Sequence, residues 1–580
     1  MCSKNFSPFR LIFTLILPLQ LAACGSDDNS APQINEWPIA KDVFTTAEQQ
    51  ILPVALSPNT LHIRPGDVSL YEQYGYSAWQ KGVPLPHEKR TKLAPGYTNA
   101  PNAARLLSFF AITDIHIADK ESPAQPIYIG LSAAGYGSGS SMLTSAYSPI
   151  ILSTIQVLDA AVQTINALHK KSPFDFGISL GDTINNTQYN EIRWYLDVLD
   201  GKVITPSSGA HAGADAIDYQ QPFKAVGLNK TIPWFQVIGN HDQFWMGSTY
   251  ENTKTRQAHV ADTIINMRND PDPASNAVNG TGAYMGVVDG STPYGEIIGA
   301  GPEELFPSPP KVIADENRHS LATPDSSSLK WMNEFFNTTS SPDGHGFTQA
   351  NLEKNFTCYS FEPTPGVPIK VIVLDDTCKG PDQLNYAAGC LDQTRIDWLK
   401  GELQKGQNED KLMIIAAHIP ILPQTSLTDT RITSLSFQND KKMLADLHTY
   451  PNLLLWISGH RHMNVVTPQP NNAADFTDHP EQSFWEVETA SLRDFPQQFR
   501  TFDIRRNSDN TVSIMITNVD PAVVEGSPAA KSRGYAIGAA RIFGATTFKD
   551  TTSHAYNAEL VKQLSPTMQA KIANYGLPIQ

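Results

Sequence analysis

Five times along this chain an apolar run of strand length ends in a short block of aspartate, histidine or asparagine. The blocks are Asp114-Ile115-His116, Gly181-Asp182, Gly239-Asn240-His241-Asp242, Ala417-His418 and Gly459-His460-Arg461-His462. A run such as Trp234-Phe235-Gln236-Val237-Ile238 reads as a buried strand, and Gly239 lets the backbone turn sharply after it. Taken singly, each block is ordinary. A histidine after a strand is more often structural, Gly-Asp is more often a turn, and Asp-x-His suits a surface pair. Together they deliver oxygen and imidazole donors at five strand ends, which is what a two-metal hydrolytic centre requires.

The segments between the blocks read as an α/β core. Leu106 to Thr113 is a strand that delivers Asp114 and His116. A Gly/Ser-rich loop, Gly135 to Ser141, follows it. The stretch Ile151 to Lys171 then places Ile155, Leu158, Val162, Ile165 and Leu168 on one helical face. Phe174 to Leu180 is the next strand, completing a βαβ unit with parallel neighbours. A helix over Asn190 to Asp200 leads to the central strand. Residues 246–350 leave this rhythm and are rich in Asn, Ser, Gly and Pro, as suits an elaborated substrate loop or cap. Phe356 to Phe361 pairs by pattern with Pro368 to Asp375, and an amphipathic helix starts within Gly389 to Leu399. Lys411 to Ala417 and Leu453 to Ser458 are the last strands that carry blocks. Trp485 to Thr489, Phe499 to Arg505 and Val512 to Asn518 read as antiparallel strands, the last two turning at Asn507 to Asn510. A final helix follows Ser565-Pro566.

In order and spacing the five blocks resemble the calcineurin-like metallophosphoesterase signature. Gly389 to Leu399 also resembles a helix common in that family, Gly-x-Leu-x-x-x-Gln-x-x-Trp-Leu, with Arg395 at the glutamine position. The resemblance covers residues 105–520 and implies a two-sheet α/β sandwich flanked by helices, a four-layer αββα arrangement. It implies one metal held by Asp114, His116, Asp182 and His462, and a second held by Asp182, Asn240, His418 and His460. Asp182 bridges, because only a carboxylate offers two anionic oxygens to two cations. Two cations about 3.5–4 Å apart acidify a bridging water, so that a hydroxide attacks, and they clamp the oxygens of an in-line displacement. Asp182 and His241 are the catalytic candidates. His241 cannot easily share a metal with Asn240, so leaving-group protonation or charge stabilisation falls to it. N/O ligation accommodates Mn, Fe, Zn or Co.

Departures from the family narrow the reading. Three residues after Asp182, purple acid phosphatases carry a metal-binding tyrosine, and protein Ser/Thr phosphatases carry an aspartate that pairs with the catalytic histidine. Here the residue is Asn185. An asparagine can orient His241 but adds no negative charge. Arg493, in Ser491-Leu492-Arg493-Asp494, is the remaining candidate for a substrate contact. With no arginine clamp for a terminal dianionic phosphate in evidence, phosphodiester cleavage is favoured over monoester cleavage. The substrate is a small or polymeric phosphoester. The competing class is a non-catalytic, metal-containing envelope binding lipoprotein, against which the complete donor set and the intact His241 argue.

Composition adds location and partners. A formal net charge of −15 over 580 residues argues against nucleic-acid binding, which depends on Lys and Arg neutralising phosphates. Lys4 and Arg10 precede the apolar run Leu11 to Leu21, too short for a confident membrane span. That run ends in Leu21-Ala22-Ala23-Cys24, which resembles the bacterial lipoprotein signal. Residues 1–23 are then a signal peptide, Cys24 the lipidated first residue of the mature chain, and residues 24–45 a flexible tether. Gly25 and Ser26 follow, without the aspartate associated with inner-membrane retention, so outer-membrane or surface anchoring is expected. Residues 46–104 form an N-terminal extension packed on the core, and residues 521–580 a C-terminal one. Of the other cysteines, Cys378 and Cys390 are expected to pair, leaving Cys358 buried. His87, His211, His345 and His479 sit in loops and receive no role.

Overall fold

The computed structural model describes residues 34–133, 144–209, 220–267, 282–322, 330–378, 389–421, 440–544 and 557–579. The signal, Cys24, the start of the tether, the Gly135 to Ser141 loop and His211 lie outside the described residues.

Two sheets make the core. In the first, β1 (Glu88–Leu93), β2 (Asn102–Ile112), β3 (Phe176–Ser179) and β4 (Trp234–Gln236) precede the second sheet in sequence. The second sheet has six strands, in chain order β5 (Tyr359–Phe361), β6 (Ile369–Val373), β7 (Leu412–Ala416), β8 (Leu453–Ser458), β9 (Val465–Gln469) and β10 (Phe484–Glu488). The chain then returns to the first sheet with β11 (Phe499–Asn507), β12 (Val512–Val519) and β13 (Ala558–Lys562). The first sheet has the order β1-β13-β12-β11-β2-β3-β4, and the second β5-β6-β7-β8-β10-β9. Strands β2, β3 and β4 are parallel, as are β6, β7, β8 and β10. Both extensions run into the first sheet, where β1 pairs with β13.

Alternation along the second sheet assigns its two faces. Val371, Val373, Ile414, Ala416, Leu455 and Ile457 join the core shared with Phe109, Ile178, Phe502 and Ile514 of the first sheet. The intervening Ile372, Met413, Ile415 and Trp456 pack on Leu399 and Leu403 of α3 (Gln393–Asn408), as a period of two requires. On the other side, α1 (Thr154–Lys171) and α2 (Tyr189–Asp200) bury Leu158, Val162, Ile192 and Leu196 against the first sheet. The fold is therefore the α/β two-sheet sandwich flanked by helices that the resemblance implies.

One strand differs from expectation. Residues Phe484–Glu488 do not pair with the two strands after them but lie in the second sheet, parallel to β8 and antiparallel to β9. All five residues are buried, so the segment has no alternation from which its partners could be read. The C-terminal extension holds a helix, α4 (Pro528–Phe543), before the expected one. The final helix, α5 (Pro566–Ile572), is capped by Ser565, whose hydroxyl accepts from the Met568 amide at 3.3 Å. Cys378 and Cys390 form a disulfide, and Cys358 is buried. Within 246–350 the described residues include a helix, Thr253–Val260, and a hairpin of Ala283–Asp289 with Glu296–Pro302. Among the described residues no helix is long and apolar enough to cross a membrane.

Candidate metal centre

The five blocks meet at one edge of the sandwich. Beyond the ends of β2 and β3 the two chains stay in register. The Asp114 amide donates to Gly181 O at 3.1 Å and the His116 amide to Asp182 O at 3.0 Å. The Gly459 amide donates to His418 O at 3.0 Å, joining the two blocks of the second sheet. The turn after β10 crosses between sheets, its Leu492 and Arg493 amides donating to Thr113 O and Asp114 O at 3.2 and 3.3 Å. Gly239 serves this convergence by its lack of a side chain, not by its turn: a Cβ there would lie 2.2 Å from Asp182 Oδ1. Asp114, His116, Asp182, His460 and His462 all have positive φ, between 49° and 71°. Non-glycine residues pay for that conformation, and such strain gathers at functional sites.

Three overlapping groups of donor atoms result: Asp114, His116 and His462; His116, Asp182 and His241; and Asp182, His418 and His460. In the first, His116 Nε2 lies 3.1 Å from His462 Nε2, and His462 Nε2 lies 3.3 Å from Asp114 Oδ1. In the last, Asn240 Oδ1 lies 3.0 Å from His418 Nε2 and 3.1 Å from His460 Nδ1. Asp182 Oδ2 stands between them, 3.6 Å from His116 Nε2 and 3.3 Å from His418 Nε2. Seven of the residues singled out by the sequence are thus brought together, with His241 beside them.

Outward hydrogen bonds fix which atom each residue turns inward. His418 Nδ1 donates to Leu180 O at 2.8 Å, and His462 Nδ1 donates to Asp494 Oδ2 at 2.6 Å. His116 Nδ1 donates to Asn185 Oδ1 at 3.2 Å. A ring that donates from Nδ1 keeps an electron pair on Nε2, the tautomer a metal ligand needs. Asp114 Oδ2 accepts from Thr113 Oγ1 at 2.6 Å and from the His460 amide at 2.9 Å. Its Oδ1 is buried without a hydrogen-bond partner. Asp182 Oδ1 accepts the His241 amide at 2.8 Å, leaving Oδ2 for the cluster. A buried, unpartnered carboxylate oxygen facing imidazole nitrogens calls for a cation. The donor set therefore fits divalent metal.

Charge in the cluster tells the same story. Burial opposes charge on His418, but Asp182 and then Asp114 outweigh it and push the imidazole up to about 10. Against burial, Asp114 and Asp494 push His462 up to about 10. Burial, with His418 adjacent, takes His460 down to about 3. Burial and the neighbouring His241 hold His116 well below its ordinary value. Burial likewise lowers His241. Two carboxylates here demand positive charge, which divalent cations supply without protonating their own ligands.

Several residues named in the sequence make contacts that the sequence does not show. Asp242 does not face the cluster. Its Oδ1 accepts from the Thr183 amide and hydroxyl at 3.0 and 2.5 Å, and its Oδ2 from the Gly239 amide at 2.8 Å, tying two blocks together. Asp494 was legible only as a neighbour of Arg493. Asn185 meets His241 through its main chain, its carbonyl accepting from Nδ1 at 2.7 Å. Arg461 turns aside and pairs with Glu488, Nε donating at 2.7 Å. Arg493 is buried, donating to Asn185 Oδ1 and Thr144 O.

No family model matches this sequence, and no curated protein does. Among solved structures the chain is similar to a dimetal phosphatase from Danio rerio. The two share 12% identity over 72% of this chain and 100% of that one, with a TM-score of 0.34. At that score the likeness decides nothing about this chain.

Proposed function

We propose that this chain is a metal-dependent phosphoester hydrolase with a dinuclear centre. One observation carries the reading: donors from five strand ends converge, with Nδ1 of His116, His418 and His462 turned outward and Asp182 Oδ2 set between two groups. Asp114, His116, Asp182 and His462 would hold one divalent ion, and Asp182, Asn240, His418 and His460 the other. Bound there, such ions polarise a phosphoryl oxygen and activate water. Asp182 is fixed by the His241 amide on Oδ1, so Oδ2 keeps its place between the two donor groups. His241 is oriented by Asn185 O, which accepts from Nδ1 and leaves Nε2 as the atom that would take up a proton and pass it to the leaving oxygen. Asp494 and Asn185 keep the imidazoles of His462 and His116 from rotating.

Diester cleavage is preferred in this reading. Its support is that Arg461 is engaged by Glu488, and Arg493 by Asn185 and Thr144, so neither guanidinium is arranged to clamp a dianionic terminal phosphate. The test compares hydrolysis of bis-p-nitrophenyl phosphate and p-nitrophenyl phosphate by the Mn²⁺-supplied protein and by Asp182→Asn. Faster diester turnover, abolished in Asp182→Asn, is expected. Faster monoester turnover reverses the preference. Two bound metals with no turnover of either compound favours a binding protein.

Lipid anchoring at Cys24, in the outer membrane or at the cell surface, completes the proposal and rests on the sequence alone. Cys24→Ser is expected to move the protein from the membrane fraction to the soluble one. Retention in the membrane would refute the anchor.

A further inference from the structure

We propose that Arg493, with Asp494, is a positioning residue that holds the imidazoles of the centre, and that it does not bind substrate. The inference rests on the metal-centre reading above and assigns the support of one half of it. Arg493 is among the largest fully buried side chains, 1% exposed. Its Nη1 donates to Asn185 Oδ1 at 2.9 Å and its Nη2 to Thr144 O at 2.7 Å. Both Nη atoms are thus held by fixed acceptors, while Nε is buried without a hydrogen-bond partner, and an unpaired buried charge is costly. Reaching out to a substrate would forfeit both bonds.

Asn185 is the residue through which Arg493 acts. Its Oδ1 accepts from His116 Nδ1 at 3.2 Å as well as from Arg493. Its amide nitrogen donates to Gln125 Oε1 and to Ser145 O, both at 3.2 Å, which fixes the orientation of the amide. Its main-chain carbonyl holds His241 Nδ1 at 2.7 Å. One asparagine therefore sets the rings of a candidate ligand and of the candidate acid, and one arginine holds that asparagine.

The next residue completes the device. Asp494 Oδ2 accepts from His462 Nδ1 at 2.6 Å and from Thr144 Oγ1 at 3.0 Å. Ser491 braces the turn: its hydroxyl accepts from the Arg493 and Asp494 amides at 2.8 and 3.1 Å and donates to Asp114 O at 2.7 Å. Ser491, Arg493 and Asp494 thus reach Asp114, His116 and His462, the three members of one donor group. Partners of this kind orient ligands and tune their basicity.

The test titrates the metal-stripped full chain with Mn²⁺ in the absence of substrate, then measures kinetics on bis-p-nitrophenyl phosphate. Arg493→Gln, Arg493→Lys, Asn185→Ala, the Arg493→Gln/Asn185→Ala double variant and Asp494→Asn are compared with wild type. Arg493→Gln and Asp494→Asn are expected to weaken one of two Mn²⁺ sites by about 10–100-fold. KM should hold while kcat falls. The double variant should bind no worse than Asn185→Ala alone, and Arg493→Lys should recover only part, since an ammonium cannot fork to two acceptors in one plane. The metal-induced rise in Tm should shrink in each single variant. Unchanged Mn²⁺ affinity with a raised KM would make Arg493 a substrate contact and overturn the inference. So would additive losses in the double variant, or a Tm lowered equally with and without metal. Wild type that binds no Mn²⁺ would bring down the metal-centre reading and this inference with it. Wild-type binding with unaffected variants would bring down the inference alone.

Discussion

Gly247 shows how closely single residues are fitted around His241. Its φ is +64°, and a Cβ there would lie 2.2 Å from His241 Cδ2, 2.4 Å from His241 Nε2 and 2.5 Å from Asn240 Nδ2. Its carbonyl accepts from Asn240 Nδ2 at 2.9 Å, which turns Asn240 Oδ1 toward His418 and His460. Gly247→Ala must displace either the imidazole or the turn. The left-handed backbone adds about 1 kcal/mol for alanine. The expected outcome is a large loss of kcat with only a modest fall in Tm, set against the exposed Ser248→Ala, which should behave as wild type. Full turnover in Gly247→Ala would show that His241 Nε2 is not needed where it stands. The same fine scale decides what could be read beforehand. The donor blocks announce themselves because each is a short stretch at one strand end. Asn185 is legible three residues after Asp182, as a residue able to orient His241, and Asp494 only as the neighbour of Arg493; their actual contacts are not, because His241 lies 56 residues from Asn185, Arg493 lies 308 residues from it, and Asp494 lies 32 residues from His462.

Among the elements, those with a clear period were legible and those without were not. The face of α1 and the run of β8 were plain from their apolar spacing. Strand β10 could not be assigned a sheet from five buried residues. Helix α4 repeats the Ser-Pro start of α5, with Ser527 accepting from the Ala530 amide, yet Gly534 and Gly538 within it weaken its intrinsic preference. Packing of Ala536, Ile537 and Ala540 on Ile150 and Phe495 makes it a helix. At α3 the family-like pattern carries Arg395 where glutamine is common, and the structure explains the exchange. Arg395 Nε donates to the N-cap Asp392 at 2.9 Å, and Nη1 donates to Asp375 O at 2.8 Å and Thr377 O at 2.5 Å. It pins the helix start to the strand end that leads to Cys378, whose carbonyl accepts from Gln243 at 3.1 Å. Nη1 also pairs with the buried Asp375 carboxylate at 3.3 Å, so Arg395→Gln should cost about 3 kcal/mol, the usual loss when one partner of a buried charged pair is removed. A urea midpoint equal to that of wild type would show that the helix start holds without it.

Across the whole molecule, buried titratable groups pull stability in opposite directions with pH. Burial pushes Glu191 up to about 8, and burial with Glu488 nearby pushes Glu486 up to about 8. Both favour the folded state fully below pH 4.5, and that contribution is lost as pH rises toward 8. His345 works the other way. It has the look of a loop residue in the sequence, yet it is fully buried, stacked on Trp234 at 3.6 Å between ring centroids. Nδ1 donates to Trp234 O at 3.1 Å, and Nε2 lies 2.9 Å from Thr338 Oγ1. Burial lowers its pKa from 6.5 to about 4. Between those values the unfolded chain takes up a proton that the folded chain refuses, so the contribution of His345 is complete above pH 6.5 and is lost as pH falls to 4. The loss amounts to about 3 kcal/mol over the window. Because the carboxyls offset it in the total curve, the measurement is a difference. Urea unfolding of wild type and His345→Asn is followed at pH 7 and pH 4.5, asparagine being chosen because it tolerates the φ of +47° at this position. The variant is expected to be less stable at pH 7 and to close much of that gap at pH 4.5. A gap that stays constant with pH would mean that the imidazole is protonated inside the fold.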